Sequence, residues 1–252
     1  MSLDLPQIAA AAGIVFGASI LQGMAGFGLS LFATPLLVWI GLPLPGAIAF
    51  VALSSLLLSA AGAHHLRADV PWRIVLEATA VRTLFLAVGL LLLTRVARAP
   101  ITQVKLVLGI AICALVILQA VWRPRPAASL HWGWAGLAFS TSGILAGLFA
   151  MGGPPLVLWT IAHDWSSAKT RGFLFATFTL AIPVQIALLF ATFGRSLWPY
   201  FGLATLLLPV VLAGSLVGIP LGNRLKKGPL TLLAYAILLG IGVSCIIPAL
   251  CK

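Results

Sequence analysis

The sequence is poor in charge, and poorest in acidic charge. Only 8% of its 252 residues are charged, with 4 Asp or Glu against 15 Lys or Arg, whereas 62% are hydrophobic. A water-soluble fold would lack the polar residues that cover a surface in contact with water. No pair of carboxylates falls within the apolar runs, which disfavours a proton relay. We predict an all-α, polytopic membrane protein with a single domain, residues 1–252, in a lipid bilayer.

Cysteine is almost as scarce as acidic charge. Cys113, Cys245 and Cys251 do not show the spacing of metal ligands, so we predict no metal site, no disulfide and no cofactor. The net charge of +11 would suggest a nucleic-acid partner in a soluble protein. Here the cations lie mostly between apolar runs, where the positive-inside bias places them, so nucleic acid is not expected. The oligomeric state stays open.

Two long apolar stretches are each interrupted by glycine. The stretches cover residues 8–40 and 132–162, and each is longer than the roughly 20 residues of a bilayer-spanning helix. The interrupting residues are Gly23, Gly26 and Gly28 in the first stretch and Gly147, Gly152, Gly153, Pro154 and Pro155 in the second. Glycine lets a helix unwind, and proline fits the first turn of a new helix. Each stretch is therefore predicted to be a broken or re-entrant helix.

Three apolar helices are predicted after each broken element, which indicates a duplication. They cover about 46–63, 72–94 and 101–122 in the first half, and about 172–193, 200–222 and 229–250 in the second. The spacing of Gly89, Arg95 and Pro100 recurs in Gly218, Arg224 and Pro229. We predict two repeats, about 7–122 and 132–250. If each broken element doubles back, the repeats are inverted, and the connector cations divide more unevenly between the two sides than after single crossings.

The two interruptions form the candidate anion site. Each exposes the N-terminal end of a half-helix, whose positive dipole and free N–H groups suit a small anion, and matched broken helices indicate the binding site of a transporter. The candidate residues there are Gln22, Gly23, Gly26, Phe27 and Gly28, together with Met151, Gly152, Gly153 and Pro154. Thr177 and Gln185 are predicted to hydrogen-bond the anion from a neighbouring helix. The alternatives are glycines that serve helix packing and a threonine that bonds its own helix.

Arg82 is the predicted counter-charge of the anion. It lies about ten residues into its helix, roughly 15 Å deep at about 1.5 Å per residue. A cation at that depth costs several kcal/mol unless it meets an anion or a water-lined cavity. Glu77 is five residues away, on another face, and pairs better with Arg73 at i, i+4 spacing.

The same residues resemble a known family. The glycine-rich break in each half, the basic connector ending in Lys169-Thr170-Arg171, and the glycine-rich helix ending before Asn223-Arg224-Leu225-Lys226 resemble the TauE/SafE-type sulfite exporters. The resemblance covers nearly the whole chain. It implies a polytopic permease with two repeats that moves small sulfur-containing anions, such as sulfite or organosulfonates, usually outward. We predict a secondary transporter of the bacterial inner membrane in which movement of one repeat against the other alternates access to the site. A small carboxylate stays an alternative cargo, and a membrane-embedded enzyme is a less favoured alternative because no nucleophile, acid–base pair or metal cluster stands out.

Overall fold

The computed structural model describes the backbone of residues 4–25, 27–121, 131–224 and 227–250, and their side chains except at 25, 219, 222–234 and 248–250. The described residues form α1 (Leu5–Ala25), α2 (Leu29–Trp39), α3 (Leu44–His65), α4 (Trp72–Val96), α5 (Ile101–Val121), α6 (Trp132–Phe149), α7 (Gly153–Ile161), α8 (Ser167–Phe193), α9 (Trp198–Leu206), α10 (Leu208–Arg224) and α11 (Lys227–Leu250). A short 3₁₀ turn, Gly194–Leu197, joins α8 to α9.

Several of these helices have the length and composition of membrane spans. In the described part of the chain the long apolar stretches are Leu5–Met24, Leu44–His65, Trp72–Val96, Ile101–Val121 and Ser167–Leu206. Large apolar side chains remain exposed on their outer faces, as Leu76, Leu84 and Leu91 do on α4. A lipid environment accepts such a surface, whereas water does not. The all-α polytopic membrane fold predicted from composition is confirmed.

Both predicted broken elements are helical hairpins. A Cβ built on Gly41, just after α2, would lie 3.7 Å from Nε2 of Gln7, near the start of α1. In the second element, the ring centroids of Phe139 in α6 and Trp159 in α7 are 5.0 Å apart. A continuous helix would separate residues twenty positions apart by about 30 Å. The chain therefore doubles back at each break, and the short helices α2 and α7 return alongside α1 and α6.

The helices pack in pairs that join the two halves of the chain. α4 packs on α6, α1 on α10, α3 on α8, and α5 on α11. At two of these crossings a glycine contacts a carbonyl oxygen so closely that no Cβ fits: Gly89 meets Ile144, and Gly218 meets Ile20. Small residues allow such close approach of helix backbones in membranes. These are the two glycines whose sequence surroundings repeat.

Two predicted helix boundaries differ from the structure. α8 begins at Ser167 rather than near residue 172, because Oγ of Ser166 accepts a hydrogen bond from the backbone N–H of Lys169 at 3.1 Å and caps the helix earlier. The single helix predicted over 200–222 is divided into α9 and α10 at Leu207. Pro209 explains the division, since its ring nitrogen cannot donate to the preceding turn.

Candidate functional site

Helix α4 carries Arg82 into the interior. Buried positions recur along α4 at intervals of three or four residues and include Val75, Ala78, Arg82, Leu86, Gly89 and Leu93. This spacing defines one face of a helix, so Arg82 occupies a core position although it is charged. Its side chain is 3% exposed. Arg82 is therefore buried within the bundle rather than exposed to lipid, and its depth in the bilayer stays a prediction.

A small cavity lies where both breaks meet α3, α4 and α8. Seven of the predicted site residues line it: Gln22, Phe27, Gly28, Arg82, Gly152, Gly153 and Gln185. The cavity offers about 30 Å³ to the centres of water-sized spheres, and one water needs roughly 10–15 Å³ by this measure. The space therefore suits a compact ligand of a few atoms.

The guanidinium of Arg82 has no anionic partner among the described residues. Its Nε and Nη1 are buried and make no hydrogen bond there. The face of Phe178 lies over the guanidinium, with 5.1 Å between Cζ and the ring centroid, which compensates a cation only in part. A Cβ on Gly152 would approach Nη2 to 2.9 Å, so the absence of a side chain there gives the guanidinium its room.

The acidic residue nearest to Arg82 in sequence belongs to another pair. Glu77 accepts a hydrogen bond from Nε of Arg73 at 3.3 Å, in an exposed pair one helical turn apart. The predicted i, i+4 pair is therefore confirmed. In the part of the chain that the structure describes, it is the sole ion pair, and Arg82 takes no part in it.

Gln22 bridges the first break. Its Oε1 accepts hydrogen bonds from the backbone N–H of Leu29 and from Oγ of Ser55, both at 3.3 Å. The first N–H of α2 is thereby satisfied within the protein, and it is not free for an anion as the sequence suggested. Nε2 of Gln22 is buried without a partner among the described residues, so this side chain brings an unused donor to the cavity wall.

The second break is held by polar contacts of its own. Ala150 adopts the left-handed conformation at φ 61°, and its N–H bonds the carbonyl of Ala146 at 2.9 Å, which ends α6. Oγ of Ser142 donates to the carbonyl of Gly152 at 2.6 Å. The first turn of α7 then contains two prolines, 154 and 155, which have no N–H. The N-terminus of α7 therefore offers an anion fewer backbone N–H donors than the N-terminus of α2.

Gln185 reaches the cavity from α8. Its Nε2 donates to the carbonyl of Ala146 at 2.8 Å, and no described residue donates to its Oε1. Of the threonines on this helix, Thr179 bonds its own backbone at Phe175, 2.8 Å away. Thr177 is fully buried, and its hydroxyl has no partner among the described residues.

The other predicted residues lie off the cavity or outside the description. Gly23 is buried inside α1, and Met151, Pro154 and Thr177 are buried beside the lining rather than in it. Gly26 falls outside the described residues. Gly147 was predicted in the break, but it lies within α6 and packs on the carbonyl of Leu86, in agreement with the packing alternative. Contact of any of these residues with a ligand stays a prediction.

Sequence reasoning missed seven residues of the cavity wall, of which three are polar or aromatic. Phe178 lies seven positions before Gln185, which is two turns along the same face of α8, so the helical period was a usable signal. Ser30 and Ser55 also line the cavity. Ser30 lies at the end of the predicted break, two positions after Gly28, whereas nothing local to Ser55 indicated its contact with Gln22.

Comparisons with known proteins identify the family of this chain. The family described as Sulfite exporter TauE/SafE matches residues 10–245. The chain is also similar to the probable sulfite/organosulfonate exporter TauE of Cupriavidus necator, with 27% identity over 231 residues, 91% of this chain and 90% of that protein. No solved structure matches. Because the family match includes both breaks and Arg82, and spans far more than half of the sequence, the chain belongs to the TauE/SafE family of sulfite exporters.

Proposed function

We propose that this protein exports small sulfur-containing oxyanions, such as sulfite or a small organosulfonate, and binds them in the cavity around Arg82. Family membership supports a transporter of sulfur anions rather than an enzyme. The observation that carries the proposal is the buried guanidinium, 3% exposed, which faces a cavity and has no carboxylate near it among the described residues. A lone cation at this depth costs several kcal/mol, and a bound anion would offset that cost.

The cavity supplies the hydrogen bonds that an oxyanion requires. Arg82 offers a planar fork of N–H donors that matches two oxygens of a sulfonate or sulfite group. Gln22, in the last turn of α1, adds its unpartnered Nε2. Both donors are buried, and in a protein interior hydrogen bonds to charge are stronger than in water. A small carboxylate would also fit the guanidinium fork, so it is the alternative cargo.

Transport would proceed by movement of one half of the chain against the other. We take the halves to be two inverted repeats, about 7–122 and 132–250, because each begins with a helical hairpin and then continues through three helices or helix pairs. Such a symmetry relates α1 to α6 and α4 to α10, so it exchanges the contact of α4 with α6 for the contact of α1 with α10. The cavity has walls from both halves, so their relative motion would open it to one side of the membrane at a time. We expect the protein in a bacterial inner membrane.

Flux measurements in proteoliposomes test this function. Vesicles containing the purified protein are loaded with radiolabelled sulfite, and its release is compared with release from protein-free vesicles. We expect faster release that unlabelled sulfite and methanesulfonate inhibit more strongly than acetate does. Stronger inhibition by acetate would replace sulfur oxyanions with carboxylates as the cargo. Release no faster than from protein-free vesicles would refute the proposal.

A further inference from the structure

The orientations of two amide side chains in the cavity wall are fixed by their partners. A glutamine amide has a donor end and an acceptor end, and its orientation follows from what each end contacts. Gln22 faces the N–H of Leu29, which can only donate, so its Oε1 occupies that position. Gln185 faces the carbonyl of Ala146, which can only accept, so its Nε2 occupies that position. The ends left over are a donor on Gln22 and an acceptor on Gln185.

This arrangement gives the cavity unpartnered donors and a fixed amide acceptor. The unpartnered donors are on Arg82 and Gln22, and the unpartnered amide acceptor is Oε1 of Gln185. A fully deprotonated oxyanion has only acceptor oxygens, so it would repel this acceptor. An oxyanion with one protonated oxygen has a hydroxyl to donate to it, while its other oxygens accept from the guanidinium.

The charge of the cavity also favours a single negative charge on the ligand. Arg82 is the one charged residue in the lining that the structure describes. The cost of taking an ion out of water rises with the square of its charge, so a dianion pays roughly four times the cost of a monoanion of the same size. One guanidinium neutralises a monoanion and leaves a dianion with an uncompensated charge. The small volume of the cavity excludes long organic tails from the same position.

We propose, on the basis of the function proposed above, that the cavity binds the singly protonated oxyanion, hydrogen sulfite rather than the sulfite dianion. Gln185 determines this preference, because its Oε1 accepts the hydrogen bond from the ligand's hydroxyl. The residue acts as a selector of the ligand's protonation state. It is not a proton donor, and the ligand's proton stays on the ligand.

Apart from Arg82, the titratable groups of the helices around Gln185 lie outside the described lining of the cavity. Arg82 is the titratable side chain in the described lining. The helices packed on α8 are α3, α4 and α7, with the 3₁₀ turn at its end. The other titratable residues of these elements and of α8 itself lie at or near the ends of the helices or in the 3₁₀ turn. They are His64, His65, Arg73, Glu77, Arg95, Lys169, Arg171 and Arg195. α6 and α7 have none. A pH effect on binding would therefore report the ligand's ionisation.

Calorimetric titration of the purified protein tests the proposal with sulfite and methanesulfonate. Sulfite changes from a monoanion to a dianion near neutral pH, whereas methanesulfonate stays a monoanion without a proton. Titrations are made about one pH unit below and one above the second ionisation of sulfite. If the protein binds hydrogen sulfite, its apparent affinity for total sulfite falls by roughly tenfold at the higher pH. Its affinity for methanesulfonate stays the same.

The variant Gln185→Met removes the acceptor at nearly constant side-chain length. The carbonyl of Ala146 keeps the N–H of Ala150 as its partner, so the break is retained. We expect roughly tenfold to hundredfold weaker binding of sulfite at the lower pH, because the ligand's hydroxyl loses its acceptor. Methanesulfonate has no hydroxyl to donate to Gln185, so its binding should not weaken in the variant, and retained binding also shows that the variant is folded.

The outcomes separate this inference from the proposed function. Affinity for total sulfite that is equal or higher at the higher pH would overturn the selection of hydrogen sulfite and leave the anion site standing. Equal weakening of both anions by Gln185→Met would assign the residue a structural role and overturn its part in selection. Failure of the wild-type protein to bind either anion at either pH would instead count against the anion site itself. The wild-type comparison alone decides the preference if the variant does not fold.

Discussion

Replacing Arg82 with methionine should greatly weaken binding of the anion and leave the fold intact. Methionine retains the apolar stem beneath Phe178 and removes the guanidinium. An arginine at the centre of a membrane helix costs about 2.5–3.5 kcal/mol on insertion scales, so removal of an unpartnered one should not destabilise the protein. Two charged hydrogen bonds lost from the anion, at about 1.5–3 kcal/mol each, amount to about 3–6 kcal/mol. That loss corresponds to roughly 10²-fold to 10⁴-fold weaker binding.

The assay combines flux of sulfite in proteoliposomes, calorimetric binding and thermal unfolding in detergent. Arg73→Met is the matched control, because it removes a guanidinium from the same helix at an exposed position. Its pair with Glu77 is of a kind worth about 0–1 kcal/mol, so flux and melting temperature should stay near those of the wild type. Wild-type flux in Arg82→Met would refute the reasoning. A large fall in melting temperature in that variant would show that Arg82 holds the fold instead.

Three further predictions concern the walls of the cavity. Gln22→Glu keeps an acceptor at the first break and places a carboxylate in the cavity with Arg82, where it competes with the anion. Calorimetry should show at least roughly tenfold weaker sulfite binding, at a melting temperature near that of the wild type. Unchanged affinity would contradict the assignment of this cavity as the anion site. Gly152→Ala would place a methyl group 2.9 Å from Nη2 of Arg82, so we expect about 1–3 kcal/mol of destabilisation and slower flux. The control is Gly136→Ala, whose new methyl group would have nothing within 4 Å, so stability and flux should both stay unchanged. The methyl group of Gly28→Ala would have no atom within 4 Å, but the residue has φ +122°, so backbone strain alone should cost about 1–3 kcal/mol of stability. Thermal unfolding measures this loss, and wild-type stability would show that the backbone at the break relaxes without cost.

The membrane fold and the position of the breaks could be predicted because their signals are local. Composition alone excluded a soluble fold, and glycine and proline mark the places where a helix ends or begins. The helices stop at Ala25 and Phe149 and resume at Leu29 and Gly153, within the predicted glycine clusters. Arg82 was also predictable, since a lone cation far from any helix end is unusual whatever it contacts.

The roles of individual polar groups could not be predicted because they depend on contacts between distant segments. Gly147 belongs to a glycine cluster in the sequence, yet it serves the crossing of α6 with α4, where it meets the carbonyl of Leu86. Gln22 was a candidate ligand residue, but its Oε1 is used by Ser55, 33 positions away. Neither partner is visible from local sequence. The N-cap at Ser166 was visible, by contrast, and the start of α8 was predicted too late because its residues were assigned to a connector.

The two halves of the chain differ in the charge that they bring to the cavity. If Gly89 and Gly218 are equivalent, as their contacts with Ile144 and Ile20 suggest, the position seven residues earlier is Arg82 in one half and Val211 in the other. Val211 is fully buried and apolar, so the inferred symmetry of the fold is not matched by a symmetry of charge. Two cations facing each other would suit a dianion. Arg82 is the one charged residue in the described lining, and a single cation suits one negative charge, the same preference that the amide of Gln185 supports by hydrogen bonding.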